Sequence, residues 1–147
     1  LSSKLHLKYD TMDMELNRIE APYVFELNTK NDLSLVLDSS ADLERKNKGM
    51  TPMQLLLGGL MGCMSIDVIL VLKKQKIVPK VYRVEADAKK KEGVPTPFEQ
   101  IHFNVFIDKE IDFKRVDRAL DLSLNKYCSV RASLHPDIRI SYEIHGV

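Results

Sequence analysis

The sequence has few cysteines and almost no excess of charge of either sign, and each shortage excludes a class of protein. Two cysteines in 147 residues are too few for the disulfide framework of a small secreted domain. Cys63 and Cys128 form no CxxC pair and the four histidines show no metal-ligand spacing, so we expect free thiols. No motif for a metal, flavin or haem is present, and we expect no cofactor. The 22 basic residues nearly balance the 21 acidic ones, so the chain lacks the excess of positive charge that is typical of nucleic-acid-binding proteins.

A signal peptide is also missing from the printed sequence. The first ten residues have no positively charged start followed by an apolar run, so we expect a cytoplasmic protein. The composition that remains, 44% hydrophobic and 29% charged, is typical of one globular domain. We therefore expect a single domain over residues 1–147, large enough to bury a core without disulfides or a structural metal.

One long apolar run stands out. Residues 55–72 contain a single charge, Asp67, over 18 positions, which is the lower limit for a membrane span. The central Asp67 and the polar Ser65 argue against spanning. A helix that is apolar on all sides is also typical of one buried in a protein. Because one small sheet cannot cover every face of it, we expect an obligate homodimer and no membrane contact.

The pattern of apolar residues predicts an α+β fold built on antiparallel sheets. Residues 1–38 alternate with period two and predict strands, beginning with Leu5, Leu7 and Tyr9, and residues 39–50 read as a loop. Thr51 and Pro52 are typical of a helix start, and the helix is expected over 51–76. Residues 80–147 predict two strands of a hairpin, an amphipathic helix from Asp112 and a last strand.

The central helix carries the residues with the clearest chemical potential. Gly58, Gly59 and Gly62 lie beside Cys63, although glycine costs about 1 kcal/mol relative to alanine inside a helix. They allow either the close approach of another backbone or room for a substrate next to the thiol. Asp67 lies one turn beyond Cys63 on the same face, where a carboxylate raises a thiol pKa. We therefore expect Asp67 to bond a neighbouring backbone or a cation rather than to act as a base.

Three segments together resemble a known family: T-P-M-Q-L-L-L-G-G-L-M-G-C-M-S-I-D-V from Thr51, K-K-Q-K from Lys73, and Y-C-S-V-R-A-S-L from Tyr127. The sequence resembles the OsmC/Ohr family of osmotically inducible and organic-hydroperoxide-resistance proteins, in its OsmC-like branch. The resemblance implies an intertwined homodimer with sheets wrapped around paired central helices. It also implies thiol-dependent reduction of organic hydroperoxides, with Cys63 as the peroxidatic and Cys128 as the resolving cysteine. An external thiol would then reduce the disulfide.

The same resemblance implies an arginine that stabilises the thiolate. Arg45, in the loop before the helix, and Arg18, on an early strand, are both candidates. Hydroperoxidases of the family begin this helix with an N-P-E motif, whereas this chain has Thr51-Pro52-Met53-Gln54. Gln54 is able to hydrogen-bond an arginine or a substrate oxygen, but it supplies no charge. The alternative is a non-catalytic dimer of the same fold that binds an apolar ligand or senses redox state.

Overall fold

The computed structural model describes residues 12–147. The predicted strand at Leu5, Leu7 and Tyr9 lies outside the described residues. By its contacts the chain divides into two compact units, residues 1–55 and 56–147, with the boundary inside the central helix. Each unit is described by itself below.

The first unit contains an antiparallel meander of three strands. These are β1 (Met14–Glu20), β2 (Val24–Thr29) and β3 (Ser34–Leu37), with β2 in the middle of the sheet. Val24 and Leu37 are the buried hydrophobic residues of these strands, with exposed fractions of 1% and 9%. Residues 39–49 contain no helix or strand, as the polar sequence there predicts.

The central helix, α1, spans Pro52–Lys74. The helix begins with a capping box of two reciprocal hydrogen bonds. The backbone N–H of Gln54 donates to Thr51 Oγ1 (3.2 Å), and the backbone N–H of Thr51 donates to the side-chain oxygen Oε1 of Gln54 (2.9 Å). Lys73 and Lys74 occupy the last turn, where cations are favourable at the negative end of the helix dipole. Lys76 lies beyond the helix with φ of 61°, so the predicted end at residue 76 was two residues too long.

This helix buries only one narrow stripe of its apolar surface within the chain. Leu60, Met64, Val68 and Leu72, spaced four residues apart, are fully buried. Other apolar side chains on α1 are exposed to 39%, 64% and 50%, at Leu56, Ile66 and Leu70. By length and composition, α1 also passes the test for a helix able to cross a membrane. Its exposed apolar faces therefore need a covering surface.

The second unit is built on a mixed three-stranded sheet. β4 (Tyr82–Lys90) and β5 (Phe98–Ile107) form the predicted antiparallel hairpin. β6 (Arg139–Gly146) pairs with β5 in parallel, which corrects the expectation of purely antiparallel sheets. The physical reason is the helical connection between the two strands, since a crossover brings the chain back in the same direction.

That connection has three parts. α2 (Phe113–Leu122) begins at the N-cap Asp112, a π-helical turn covers Ser123–Tyr127, and the short helix α3 covers Ser129–Ser133. The inward side chains of β5 and α2 are fully buried, as are the four stripe residues of α1. On β5 they are Ile101, Phe103, Val105 and Ile107, and on α2 they are Val116, Ala119 and Leu120. The buried stripe of α1 and Ser123 of the π-helical turn thus lie in the core of the second unit.

Candidate functional site

Two thiols and a carboxylate come together in the second unit. The Sγ atoms of Cys63 and Cys128 and a carboxylate oxygen of Asp67 all lie within 4.8 Å of one another. Cys63 and Asp67 are one turn apart on α1, and Cys128 is the residue between the π-helical turn and α3. Both cysteines are free thiols, 65 positions apart in the sequence. We call these three residues the Cys-Asp-Cys cluster.

Asp67 is oriented by a buried hydroxyl. Ser123 Oγ donates a hydrogen bond of 2.9 Å to Asp67 Oδ2, and Ser123 is fully buried. The sequence predicts a backbone group or a cation as the partner of Asp67, and the partner is instead this side chain. Ser123 is the first residue of the π-helical turn, and Cys128 directly follows the last one. The turn therefore positions both the hydroxyl that bonds Asp67 and the thiol of Cys128. Single π-helical turns are common at functional sites.

Cys128 is electrostatically suited to remain a protonated thiol. Burial, the neighbouring Cys63 and the Asp67 charge raise the pKa of Cys128 to about 11. One contact opposes this shift: the backbone N–H of Arg131 donates to Cys128 Sγ at 3.3 Å, which lowers the pKa of the thiol. The sulfur thereby serves as the N-cap acceptor of α3.

The two sulfurs differ in access. Cys63 is partly exposed, whereas Cys128 is 3% exposed. A cavity of about 410 Å³ adjoins Cys128, with apolar walls at Leu124 and Leu134 and cationic side chains at Lys126 and Arg131. The Arg131 guanidinium is itself occupied, since it donates to the carbonyl oxygens of His135, Pro136 and Ile138. Arg131 therefore fastens the segment after α3.

The glycines beside Cys63 have open surroundings within the second unit. A Cβ atom built on Gly58, Gly59 or Gly62 meets no atom of residues 56–147 within 4 Å. The glycines are thus not explained by close packing inside this unit. Both interpretations from the sequence, another backbone or a substrate beside Cys63, remain predictions.

The candidate cations and Gln54 belong to the first unit. Arg45 lies in the loop after β3, partly buried, and its Nε is buried without a hydrogen-bond partner in that unit. Arg18 is exposed on β1. The side-chain oxygen of Gln54 is engaged in the capping box. That bond gives Gln54 a structural role in starting α1.

A buried carboxylate organises the loop that carries Arg45. Asp38, 2% exposed, accepts hydrogen bonds from the backbone N–H groups of Ser39, Lys46 and Lys48 at 2.7, 3.1 and 3.0 Å. The Lys48 bond is the largest cause that lowers the pKa of Asp38, and the charge of Arg45 adds to it. Asp38 therefore stays ionised and fixes the loop on both sides of Arg45.

Two further contacts fasten this loop. Lys46 and Lys48 both pair with Glu20, at 2.6 Å for Lys46, and these two bonds lower the pKa of Glu20. Gly49 passes so close to β3 that a Cβ would collide with the Val36 carbonyl. Only glycine allows the loop to return to the strand at this point.

Sequence reasoning missed two residues: Ser123, which orients Asp67, and Asp38, which organises the loop of Arg45 in the first unit. Asp38 directly follows the last alternating strand residue and precedes a polar loop. A carboxylate at such a position often bonds the backbone of the loop, and this was the signal in the sequence. Ser123 lies within a helical pattern and gave no signal. Its role depends on the π-helical turn, which hydrophobic periodicity does not reveal.

The comparisons with known proteins show the family and the fold. A sequence model of the family described as "OsmC-like protein" matches residues 45–143, which include Cys63, Asp67 and Cys128. The chain belongs to the OsmC-like protein family. It is similar to protein YhfA of Escherichia coli K12, with 32% identity over 101 residues that cover 67% of this chain and 75% of YhfA.

Solved structures share the fold of this OsmC-like chain. A hypothetical protein from Aquifex aeolicus has a TM-score of 0.78 and 26% identity, and the match covers 94% of this chain and 98% of that one. An organic hydroperoxide resistance protein OsmC from Legionella pneumophila has a TM-score of 0.71 and 14% identity, with 93% and 97% covered. At this identity the Legionella match establishes the fold alone, an α+β OsmC/Ohr fold with two three-stranded sheets and a long helix.

Proposed function

We propose that this protein is a cysteine-based, thiol-dependent peroxidase that reduces organic hydroperoxides, and hydrogen peroxide less readily. The observation that carries the proposal is the proximity of Cys63 and Cys128, whose sulfurs lie within 4.8 Å of each other. Membership of the OsmC-like family supports it, as does the name of the structurally similar Legionella protein. A disulfide needs an S–S distance of about 2.05 Å, so the two sulfurs must approach each other further before the bond forms.

The reaction balances with these two sulfurs and an external thiol. The Cys63 thiolate attacks the O–O bond of ROOH and, after proton transfer, leaves ROH and a Cys63 sulfenic acid. The Cys128 thiol condenses with the sulfenic acid, which forms the Cys63–Cys128 disulfide and water. Two external thiols then reduce the disulfide, and they leave as their own disulfide. No metal, flavin or haem enters this cycle.

The difference between the two sulfurs supports their roles. Cys63, the more exposed, is the sulfur that a hydroperoxide reaches first. Cys128 is buried, and its pKa of about 11 keeps it protonated at neutral pH, so it survives until a sulfenic acid forms beside it. The cavity beside Cys128, with Lys126 at its wall, gives an anionic reducing thiol a route to the disulfide.

Arg45 and Arg18, which both belong to the first unit, stay the two candidates for the cation that stabilises the Cys63 thiolate in this proposal. The loop of Arg45 is held by Asp38 and Glu20, and Arg45 Nε is buried without a hydrogen-bond partner in the first unit. Arg18 lies on an exposed strand without such support. The proposal assigns Gln54 to the helix start rather than to charge stabilisation.

The active form in this proposal is a cytoplasmic homodimer. The exposed apolar residues of α1, such as Ile66, support burial against a second copy, because an isolated soluble chain rarely exposes so much of a central helix. The balanced net charge of +1 supports neither nucleic-acid nor membrane-surface partners.

Disulfide mapping tests the mechanism directly. Reduced protein receives one equivalent of cumene hydroperoxide and is then blocked, digested and analysed by mass spectrometry. We expect a Cys63–Cys128 disulfide in the wild type and a sulfenic acid trapped by dimedone at Cys63 in Cys128→Ser. Asp87→Asn, an exposed change on β4, is the matched control and should behave as the wild type. Equal oxidation of both cysteines without a disulfide would contradict the proposal.

The second candidate function is a non-catalytic dimer that binds an apolar ligand or senses redox state. The absence of a carboxylate from Thr51-Pro52-Met53-Gln54 favours it, since no acidic group there holds an arginine. Thiol titration in folded and unfolded protein separates the two functions. A Cys63 that reacts fast in the folded state supports the peroxidase, and two slow thiols support the binding protein.

A further inference from the structure

The Cys-Asp-Cys cluster brings together two thiols and one carboxylate, three groups that are anionic once they lose their protons. Cys63, Asp67 and Cys128 present their sulfur and oxygen atoms within 4.8 Å of one another. Among the described residues of the second unit, no lysine or arginine forms an ion pair with Asp67, and the Arg131 guanidinium is occupied by carbonyl oxygens. Like charges this close disfavour one another unless a cation lies between them.

We propose that the reduced protein binds one zinc ion through Cys63 Sγ, Cys128 Sγ and the Asp67 carboxylate. Two thiolates and one carboxylate are ligands that suit a borderline-soft divalent cation such as Zn²⁺ or its probe Cd²⁺. The site extends the peroxidase proposal, because it uses the same two sulfurs. Zinc binding itself requires no peroxide chemistry.

The spacing of the three ligand atoms can be compared with the spacing in a tetrahedral zinc site. With Zn–S bonds of about 2.3 Å, two sulfurs in a tetrahedral site lie about 3.8 Å apart. The present limit of 4.8 Å requires a contraction of about 1 Å at most. Cys63 and Asp67 have the i, i+4 spacing by which one helix offers two ligands to one metal ion.

A second layer of contacts already orients these ligands. Ser123 Oγ donates to Asp67 Oδ2 at 2.9 Å, which fixes the carboxylate while its remaining lone pairs stay available. The Arg131 N–H donates to Cys128 Sγ at 3.3 Å and holds this sulfur in position. Three protein ligands leave a fourth position open, as in zinc sites that exchange water or a small ligand.

Zinc binding gives the site a form of regulation. The two thiols lose their protons to solvent when the metal binds, and no atom is oxidised or reduced. If the peroxidase proposal holds, the bound thiolates are withheld from hydroperoxide, so zinc inhibits turnover. A Cys63–Cys128 disulfide has no thiolate to offer, so the oxidised protein does not bind zinc.

Spectroscopic titration tests the site without reference to activity. Reduced full-length protein is titrated anaerobically with Cd²⁺, followed by the ultraviolet sulfur-to-metal charge-transfer absorbance, and with Zn²⁺ against a coloured chelator. We expect one ion per chain, with proton release. Cys63→Ser and Cys128→Ser should each weaken zinc binding about 100-fold or more, and Ser123→Ala about 10-fold by freeing the carboxylate. Asp87→Asn and the oxidised wild type serve as controls.

Asp67→Asn decides whether the carboxylate is a ligand. Its amide retains the size and is able to accept from Ser123, so the fold is kept, which circular dichroism checks. We expect the zinc affinity of Asp67→Asn to fall at least about 10-fold relative to the wild type. Wild-type affinity in Asp67→Asn, or no charge-transfer band in the reduced wild type, would overturn the zinc site.

The two proposals fail separately. Zinc binding without peroxide turnover supports the metal site and contradicts the peroxidase. Turnover without zinc binding contradicts the metal site alone.

Discussion

Asp67 carries a charge that acts on the thiol of Cys128. Burial is the main reason that the pKa of Cys128 lies at about 11, and the Asp67 charge is a smaller contribution in the same direction. We predict that Asp67→Asn lowers the pKa of Cys128 by less than about one unit. Thiolate absorbance as a function of pH in a Cys63→Ser background measures this. A rise in the pKa would contradict the assigned role of the charge.

Cys128 also makes stability depend on pH. Because its pKa is raised from 9.0 to about 11 in the folded protein, the folded thiol keeps its proton after the unfolded one has lost it. The contribution to stability is fully present below pH 9 and is lost as the pH rises through 11. We predict that urea midpoints of the reduced protein fall over this range, and that the fall is smaller in Cys128→Ser. The pKa of Tyr142 is also raised, to about 12, but this residue contributes equally to the pH dependence of stability in the wild type and in Cys128→Ser.

Single residues differ in how far the sequence alone revealed them. Cys63 and Cys128 could be proposed as a pair from the family motifs, and the structure places their sulfurs together. The i, i+4 spacing also predicted that Asp67 faces Cys63. Ser123 could not be found, because its contact with Asp67 spans 56 positions and depends on a π-helical turn.

The start of α1 illustrates an element that the sequence predicts well. Thr51 and Gln54 exchange reciprocal hydrogen bonds, and Pro52 occupies the first helical position. We predict that Thr51→Ala lowers the free energy of unfolding by about 1 kcal/mol, since an N-cap acceptor is lost. Urea unfolding of the full chain measures the change, and Thr51→Ser, which keeps the hydroxyl, should remain near the wild type. Equal stability of Thr51→Ala and the wild type would contradict the capping role.

Two elements were predicted less well, for physical reasons. The direction of β6 depends on the connection through α2 and α3 rather than on its own alternating residues, so alternation could not show that it runs parallel to β5. The predicted amphipathic helix from Asp112 is regular only as far as Leu122, because the chain widens into a π-helical turn at Ser123. A change of this kind alters the backbone spacing without altering the apolar pattern.

For the whole molecule, the apolar surface of α1 predicts self-association. Ile66 is 64% exposed and Leu70 is 50% exposed in the chain by itself. We predict that the wild type sediments as a dimer and that Ile66→Glu shifts it to monomer, because a buried unpaired charge destabilises an interface. Arg118→Glu on the exposed side of α2 is the control and should remain dimeric. A wild-type monomer at micromolar concentration would contradict the homodimer.

The central claim is that Cys63 and Cys128 form a peroxidatic pair, and steady-state peroxide consumption tests it most directly. Cumene hydroperoxide and hydrogen peroxide are each supplied to the wild type, Cys63→Ser, Cys128→Ser and Asp87→Asn with dithiothreitol as the reductant. We predict that the wild type and Asp87→Asn turn over the organic peroxide faster than hydrogen peroxide. Cys63→Ser should lose all turnover, and Cys128→Ser should retain one oxidation of Cys63 but cycle more slowly. Unchanged consumption by Cys63→Ser, or none by folded, reduced wild type, would contradict the account.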